Sequence, residues 1–162
     1  MSGVAVIRYL LTLHAPLTAL VPVARIVAGE PDINAVLPLV AVMKVGSSPR
    51  TTLAMSGTSL HRERVQVSVL VKASASSPAG LGYPGLQSLL TKVYDACPYS
   101  RGTLNSIVVD SIIPDIEGPD MLDFQTGIYQ GSRDFIVNWR NLNIPSNTLL
   151  SEDGGVILRE TA

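Results

Sequence analysis

The residues best suited to covalent or metal chemistry are few and lie far apart along the chain. The sequence has one cysteine, Cys97, and two histidines, His14 and His61. A reactive thiolate needs a base or a positive charge beside its sulfur, whereas Cys97 continues the apolar stripe of a predicted helix. We therefore expect Cys97 to be a small core residue. A metal site needs several ligands at fixed spacing, and the histidines are isolated, so we expect no metal ion.

A glycine-rich segment, Gly80-Leu-Gly-Tyr-Pro-Gly85, has the spacing of a dinucleotide-binding loop. In such loops the glycines let a pyrophosphate approach the N-terminus of a helix. Pro84 would remove one amide donor, and the neighbouring strands are predicted to be antiparallel. The acidic residue that binds the ribose about twenty positions further on is missing. We interpret the segment as a flexible loop that leads into a helix, and we expect no cofactor.

Acidic side chains gather in and around a predicted turn that follows a strand. Paired carboxylates can perform acid–base chemistry or bind a hard cation, but the spacing here differs from that of a calcium-binding loop. Pro114, Gly118 and Pro119 indicate an ordinary turn. We expect exposed, solvated side chains, with a role at a contact between subunits as the alternative. The residues are Asp110, Asp115, Glu117, Asp120 and Asp123.

Basic side chains lie near a long hairpin loop that is predicted over residues 47–61, with a short strand near Thr51 to Met55. Arg50 and His61 fall in this loop, and Arg62 and Arg64 share one face of the strand that follows. If the loop lines a channel, these side chains would contact DNA through its phosphates alone. A solvated strand end is an equally good interpretation, because aromatic residues for base stacking are not interleaved with the basic ones.

Composition indicates association between copies of the chain. Of 162 residues, 46% are apolar and 15% are charged, and the mean hydropathy is +0.32. A domain of this size has a limited interior, so we expect part of the apolar surface to be buried between subunits. The net charge of −1 provides no general attraction to nucleic acid. We expect neither a signal peptide nor a membrane span, and synthesis in a cytoplasm.

The order of predicted elements gives the fold class. Residues 3–14 and 83–97 have helical spacing, and residues 62–72 alternate between apolar and polar. The pattern predicts an α+β fold, with a mainly antiparallel sheet and two helices on one face. We expect one domain over residues 1–140 and a C-terminal arm over 141–162. Further strands are predicted at residues 23–28, 37–45, 106–113, 122–129 and 131–140.

Seven features follow one another along the chain: Arg8-Tyr-Leu-Leu11, Pro16-Leu-Thr-Ala-Leu-Val21 with Arg25-Ile26, Leu37-Pro-Leu-Val40, the long hairpin, Arg64-Val-Gln-Val-Ser-Val-Leu-Val71, the helix Tyr83 to Cys97, and Asp134-Phe-Ile-Val-Asn-Trp139. Together they resemble the tail-completion, or tail-terminator, proteins of tailed bacteriophages. The similarity covers about residues 3–140 and is carried by the arrangement more than by any single motif. The arm is longer than is usual in that family.

The resemblance implies a structural protein without catalytic activity. Such proteins form a ring, usually hexameric, that ends the tail tube and joins it to the connector of the head. The expected partners are other copies of the chain, the tail tube protein and the connector or stopper protein, with transient, non-specific contact to phage DNA. The location would be the head-proximal end of the tail in the virion, after synthesis in the bacterial host. We expect Val156, Ile157 and Leu158 of the arm to lie at a subunit interface.

Three other functions are compatible with the sequence. One is a different connector component, a stopper or an adaptor, or a tail tube subunit. Another is a small cofactor-binding or cysteine-dependent enzyme that uses the glycine-rich loop or Cys97. The third is an ordinary α+β monomer with a large core.

Overall fold

The computed structural model describes residues 2–32, 34–51, 58–73, 81–142, 148–150 and 156–158, with the backbone alone at 49–51, 58–59, 141–142, 148–150 and 156–158. Its helices are α1 (Gly3–Leu13), α2 (Ala15–Thr18) and α3 (Gly82–Ala96), with a 3-10 helix at Val23–Arg25. Its strands are β1 (Ile26–Ala28), β2 (Leu39–Thr51), β3 (Thr58–Lys72), β4 (Gly102–Leu104), β5 (Ile107–Glu117), β6 (Met121–Asp123), β7 (Ile128–Leu142), β8 (Thr148–Leu150) and β9 (Val156–Leu158).

The main sheet has the strand order β1-β2-β3-β7-β5-β4, and β6 pairs with β7 beyond the end of β5. All of its pairs are antiparallel except β1 with β2. The central pair, β3 with β7, runs in one unbroken register from Thr58 opposite Leu142 to Lys72 opposite Ile128. Strands β8 and β9 pair with each other in a separate two-stranded sheet. The expected α+β class is confirmed.

Helices α1 and α3 pack on one face of the sheet and enclose the core with it. The side chain of Ser2 accepts a hydrogen bond from the backbone N–H of Ala5 at 3.4 Å and so caps α1 as expected. The backbone N–H of Gly3 donates to the carboxylate of Glu63, which is buried in β3. Both the helices and the sheet contribute apolar side chains to the core. These include Val6, Ile7, Leu11, Val65, Val67, Val69, Val71, Leu86, Leu89, Leu90, Val93, Phe135 and Val137.

Residues 47–61 belong to a hairpin, as predicted, but the loop of that hairpin is shorter than we expected. Strand β2 continues to Thr51 and β3 begins at Thr58, so most of that segment forms a ladder. Pro49 has a weak strand preference, but cross-strand pairing determines the conformation of the segment. Pro114 also fails to end β5 where we expected it to. It stands opposite Phe135 at the last position before a register shift of β5, and proline is tolerated on edge strands and at bulges.

Two further differences lie at Gly131 and at the first strand. Gly131 does not separate two strands but lies inside β7. A Cβ atom there would lie 2.8 Å from Leu90 of α3 and 2.7 Å from Asp120, so glycine permits their close approach. Residues 23–25 form a 3-10 helix rather than a strand, and β1 is parallel to β2.

The division between domain and arm at residue 140 remains a prediction. Strand β7 passes through that position and ends at Leu142. No helix among the described residues has both the length and the apolar character needed to cross a membrane.

The two phenylalanines of the chain allow a matched test of this core. Phe135 is 0% exposed and Phe124 is 89% exposed. Phe135→Ala leaves a cavity and should lower the free energy of unfolding by about 3–5 kcal/mol. Phe124→Ala should change it by less than about 0.5 kcal/mol. Urea denaturation of both variants measures the difference, and equal losses would contradict this packing.

Candidate functional site

The face of the sheet opposite the helices carries most of the polar residues of β3 and β7. We call it the open face. In β3 it presents Arg62, Arg64, Gln66 and Ser68, which alternate with the buried residues of the covered face. In β7 it presents Ser132, Asp134, Asn138 and Arg140, opposite these residues or diagonal to them.

Arg64 is the centre of an ion-pair network on the open face. Its guanidinium lies 2.6 Å from Asp134 and 3.5 Å from Asp115. Asp134 is only 5% exposed, and a buried carboxylate is costly unless it is paired and hydrogen-bonded. Arg64 therefore compensates a carboxylate of its own subunit, and little of its positive charge is available to a phosphate.

Other polar residues of the open face are paired in the same way. Arg140 donates to Asp110 at 2.7 Å, and this hydrogen bond raises the pKa of Arg140 above its ordinary value. Asn138 donates to Ser111 at 2.8 Å. Arg62 is exposed and forms no ion pair with the part of the chain that the structure describes.

The four basic residues predicted to form one group are divided. Arg62 and Arg64 share the open face as expected. His61 lies in β3, not in a loop, and its ring stacks on Trp139 with 4.2 Å between ring centroids and 15° between planes. The side chain of Arg50 lies outside the described residues, and its backbone pairs with Leu60. Whether these residues face a lumen remains a prediction.

The carboxylates expected in one solvated turn each have a separate contact. Besides the two that pair with Arg64 and Arg140, Glu117 accepts from Arg133 at 2.9 Å. Asp120 accepts from Gln87 and from the Tyr83 hydroxyl, and the hydrogen bond to Asp120 raises the pKa of Tyr83. Within the described part of the chain, no three potential metal ligands come together.

Asp123 organises the turn between β6 and β7. One of its carboxylate oxygens accepts from the backbone N–H of Gln125 at 2.9 Å, and the other accepts from the Thr126 hydroxyl at 2.7 Å. The Thr126 hydrogen bond is the largest cause that lowers the pKa of Asp123, so this exposed carboxylate stays ionised. The turn holds Phe124 out in solvent.

Cys97 is buried at the end of α3 and is 0% exposed, as the sequence led us to expect. Burial raises the pKa of the thiol to about 12. In the glycine-rich segment, Gly80 lies outside the described residues and Gly82 is the first residue of α3. The helix buries Gly85 against the side chain of Leu81.

An apolar groove of about 460 Å³ opens at the end of the sheet where β2 begins and β3 ends. Sequence analysis did not identify it, although Leu70 gave a signal, because it is an apolar residue in the polar register of β3. The two carboxylates on the groove belong to Asp32 and Asp123. The groove is lined by Pro31, Asp32, Ala35, Leu37, Leu39, Leu70, Met121, Leu122, Asp123, Thr126, Ile128 and Gln130.

At both lateral edges of the sheet, part of a strand is not paired with any described strand. Strand β1 pairs only with residues 40–42 of β2, and β4 pairs only with residues 107–109 of β5. The outer edges of β2 after Val42 and of β5 after Val109 are therefore free of any described strand. Apolar side chains are exposed on both, with Val45 of β2 at 53% and Ile116 of β5 at 52%. An uncovered edge is a template for pairing with another chain.

Comparisons with known proteins identify a shared fold. No protein-family model and no curated protein matches the sequence. Among solved structures, a chain of the virion of a native gene transfer agent particle superposes with a TM-score of 0.61. The sequence identity is 12%, and the match covers 86% of this chain and 96% of that one. The two chains have the same fold.

Thiol reactivity tests the environment of Cys97. A sulfur that is both buried and protonated should not react with a thiol reagent at pH 8 in the folded protein, and should react completely in denaturant. Because the folded pKa lies above the ordinary value of 9.0, the thiol's contribution to stability is complete below pH 9. It declines as the pH rises from there toward 12. Rapid labelling of the native protein would contradict this burial.

Substitution of Arg64 tests the ion-pair network. Arg64→Met leaves Asp134 buried without its cation, and we expect a loss of about 1–3 kcal/mol of unfolding free energy, reduced because Arg64 is partly exposed. Arg62→Met is the matched control and should change stability by less than about 0.5 kcal/mol. Urea denaturation at neutral pH gives both values. A larger loss for the control would show that the network contributes little.

Proposed function

We propose that this protein is a structural component of a tailed phage or phage-like virion. The observation that carries the proposal is the fold shared with a chain of the gene transfer agent virion, which covers nearly the whole of both chains. The low charge content and the exposed apolar side chains on edge strands agree with a protein that works as part of an assembly.

Within the virion, we assign it the role of a tail terminator. The resemblance in the order of elements and in the segments quoted above supports this assignment. Copies of the chain would form a closed hexameric ring that ends the tail tube and docks to the head connector.

The free edges supply the contact that such a ring requires. Strand directions alternate from β2 through β3 and β7 to β5. The free edge of β2 in one copy therefore meets the free edge of β5 in the next copy in antiparallel orientation. This contact joins two different surfaces, so it closes into a ring when the rotation between copies permits. It also covers Val45 and Ile116.

In this ring the open face lines the lumen through which DNA passes. Its three arginines, Arg62, Arg64 and Arg140, are balanced by Asp110, Asp115 and Asp134. Phosphate binding requires a surplus of cations and releases counterions. A balanced surface holds DNA weakly, which suits a passage better than a binding site.

We propose no catalytic role. The one cysteine is buried with a raised pKa, and a nucleophile must be accessible and ionised. A stopper, an adaptor or a tube subunit is the alternative within the virion. A tube subunit would stack into long tubes, whereas a terminator stops at rings.

Negative-stain electron microscopy and sedimentation of the purified chain test the proposal. We expect closed rings in the unmodified protein. Ile116→Glu should raise the concentration for half-assembly at least about tenfold, because it places a charge in the seam between copies. Tyr99→Glu is the control, since Tyr99 is 71% exposed and lies outside both free edges.

The possible outcomes separate the functions. Long tubes would support a tube subunit and contradict the terminator assignment. A monomer whose melting temperature rises with a nucleotide or other small ligand would support an enzyme or a cofactor-binding protein. Rings that are equally sensitive to both variants would contradict the proposed seam. Immunogold labelling at the head-proximal end of tails would support the location.

A further inference from the structure

The two free edges of the sheet differ in charge. Over residues 43–48 of β2, whose side chains the structure describes, the one charged residue is Lys44, and it is exposed. Residues 110–117 of β5 include three carboxylates and no lysine or arginine. A basic edge and an acidic edge attract each other, whereas two acidic edges repel. Charge therefore favours contact between β2 of one copy and β5 of another.

Each edge also exposes an apolar side chain at a break in its inner ladder. The pairing of β2 with β3 shifts in register at Val45, and the pairing of β5 with β7 shifts in the interval that contains Ile116. A bulge at a sheet edge redirects side chains and interrupts pairing through the backbone. Such edges are recognised mainly through the side chains that they present, here an apolar residue beside charged ones.

An antiparallel contact that aligns the two apolar residues also aligns opposite charges. With Val45 opposite Ile116, the residue before Val45 faces the residue after Ile116, so Lys44 lies opposite Glu117. Side chains directly opposite each other lie on the same face of a sheet. Lys44 pairs with the buried Val65 of β3 and so belongs to the face that the helices cover.

Glu117 belongs to that face as well. It pairs with Arg133, whose guanidinium lies 5.4 Å from the centroid of the Tyr94 ring in α3. Glu117 accepts a hydrogen bond from Arg133 at 2.9 Å, but its side chain is still 50% exposed. A second cation can therefore reach its carboxylate from outside the subunit.

Contacts between two identical edges lack this attraction. Two β5 edges, aligned on their exposed isoleucines, would set Asp115 against Glu117 twice, and like charges directly opposite each other are destabilising. Two β2 edges, aligned on their exposed valines, would set Lys44 against Gly46, which has no side chain. Of these three contacts, the mixed one alone places a cation opposite a carboxylate. Specificity of this kind combines attraction in one contact with repulsion in another.

We infer that Lys44 of one copy forms an ion pair with Glu117 of the next, beside an apolar contact between Val45 and Ile116. The pair selects the mixed contact over a two-fold contact between identical edges. A mixed contact leaves one edge free at each end and can continue around a ring, whereas a two-fold contact stops at a dimer. The inference rests on the proposed ring and names the residues by which its neighbouring copies recognise each other.

Charge reversal, measured by sedimentation velocity, tests the pair. Lys44→Glu should raise the concentration for half-assembly about fivefold, because it replaces attraction with repulsion in every contact. Combining it with Glu117→Lys restores opposite charges and should bring that concentration to within about twofold of the unmodified protein. Glu117→Gln keeps an acceptor for Arg133 and should give a rise of about threefold. Lys72→Glu is the control for net charge and should have no effect, since Lys72 is exposed on the inner strand β3.

A zero-length cross-link tests the contact itself. A carbodiimide joins a lysine amine to a neighbouring carboxylate through an amide bond, and mass spectrometry identifies the linked peptides. Within one chain, Lys44 and Glu117 lie on strands three spacings apart, about 14 Å. We therefore expect the link between chains, as a ladder of covalent oligomers. A mixture of isotope-labelled and unlabelled chains shows whether the linked peptides come from different copies.

Each result distinguishes the inference from the proposed function. Rings that form without the link, and as readily after Lys44→Glu, would overturn the pair and leave the ring proposal intact. The link in dimers or open fibres, without rings, would support the pair and count against the terminator role. A chain that neither assembles nor links would contradict both. An equal effect of Lys72→Glu and Lys44→Glu would show a response to net charge alone and would overturn the pair.

Discussion

The unbroken pairing of β3 with β7 is the constraint on which the rest of the structure depends. A slip of one residue would exchange the two faces of a strand. Here a one-residue slip of β7 along β3 would turn Asp134 into the apolar core, expose Phe135 and separate Asp134 from Arg64. The two faces therefore enforce the same register, one through apolar burial and the other through an ion pair. The core, the balanced open face and the two free edges all follow from this one alignment.

Glu63 connects that central pair to the first helix. It lies on the covered face, between His61 and Val65 of β3 and opposite Val137 of β7, and it accepts a hydrogen bond from the backbone N–H of Gly3. A carboxylate beside the first turn of a helix is stabilised by the partial positive charge there. A Cβ at position 3 would lie 2.9 Å from the Glu63 carboxylate and 3.1 Å from Val137. The lack of a side chain at Gly3 thus lets α1 begin directly on the sheet.

Short sequence patterns correctly predicted the elements whose causes are local. They failed where residues far apart in the sequence determine the structure. The Ser2 cap, the stripe of α3 and the alternating valines of β3 are visible in short windows of sequence. The extension of the β2–β3 hairpin depends on β7, about 80 residues further on. The stacking of His61 on Trp139, the pairing of Arg64 with Asp134 and the groove likewise join residues from separate segments. Only Leu70, out of place in a polar register, hinted at the groove.

Pro49 and Pro114 lie on β2 and β5, the two strands with free edges, and they limit the aggregation of the newly made chain. Before assembly, an edge without interruption would pair with any extended peptide and seed insoluble aggregates. A residue that lacks an amide hydrogen breaks such a run. The chain is therefore less prone to pair indiscriminately through its strand edges, while side-chain contacts along those edges stay available to a correctly oriented partner.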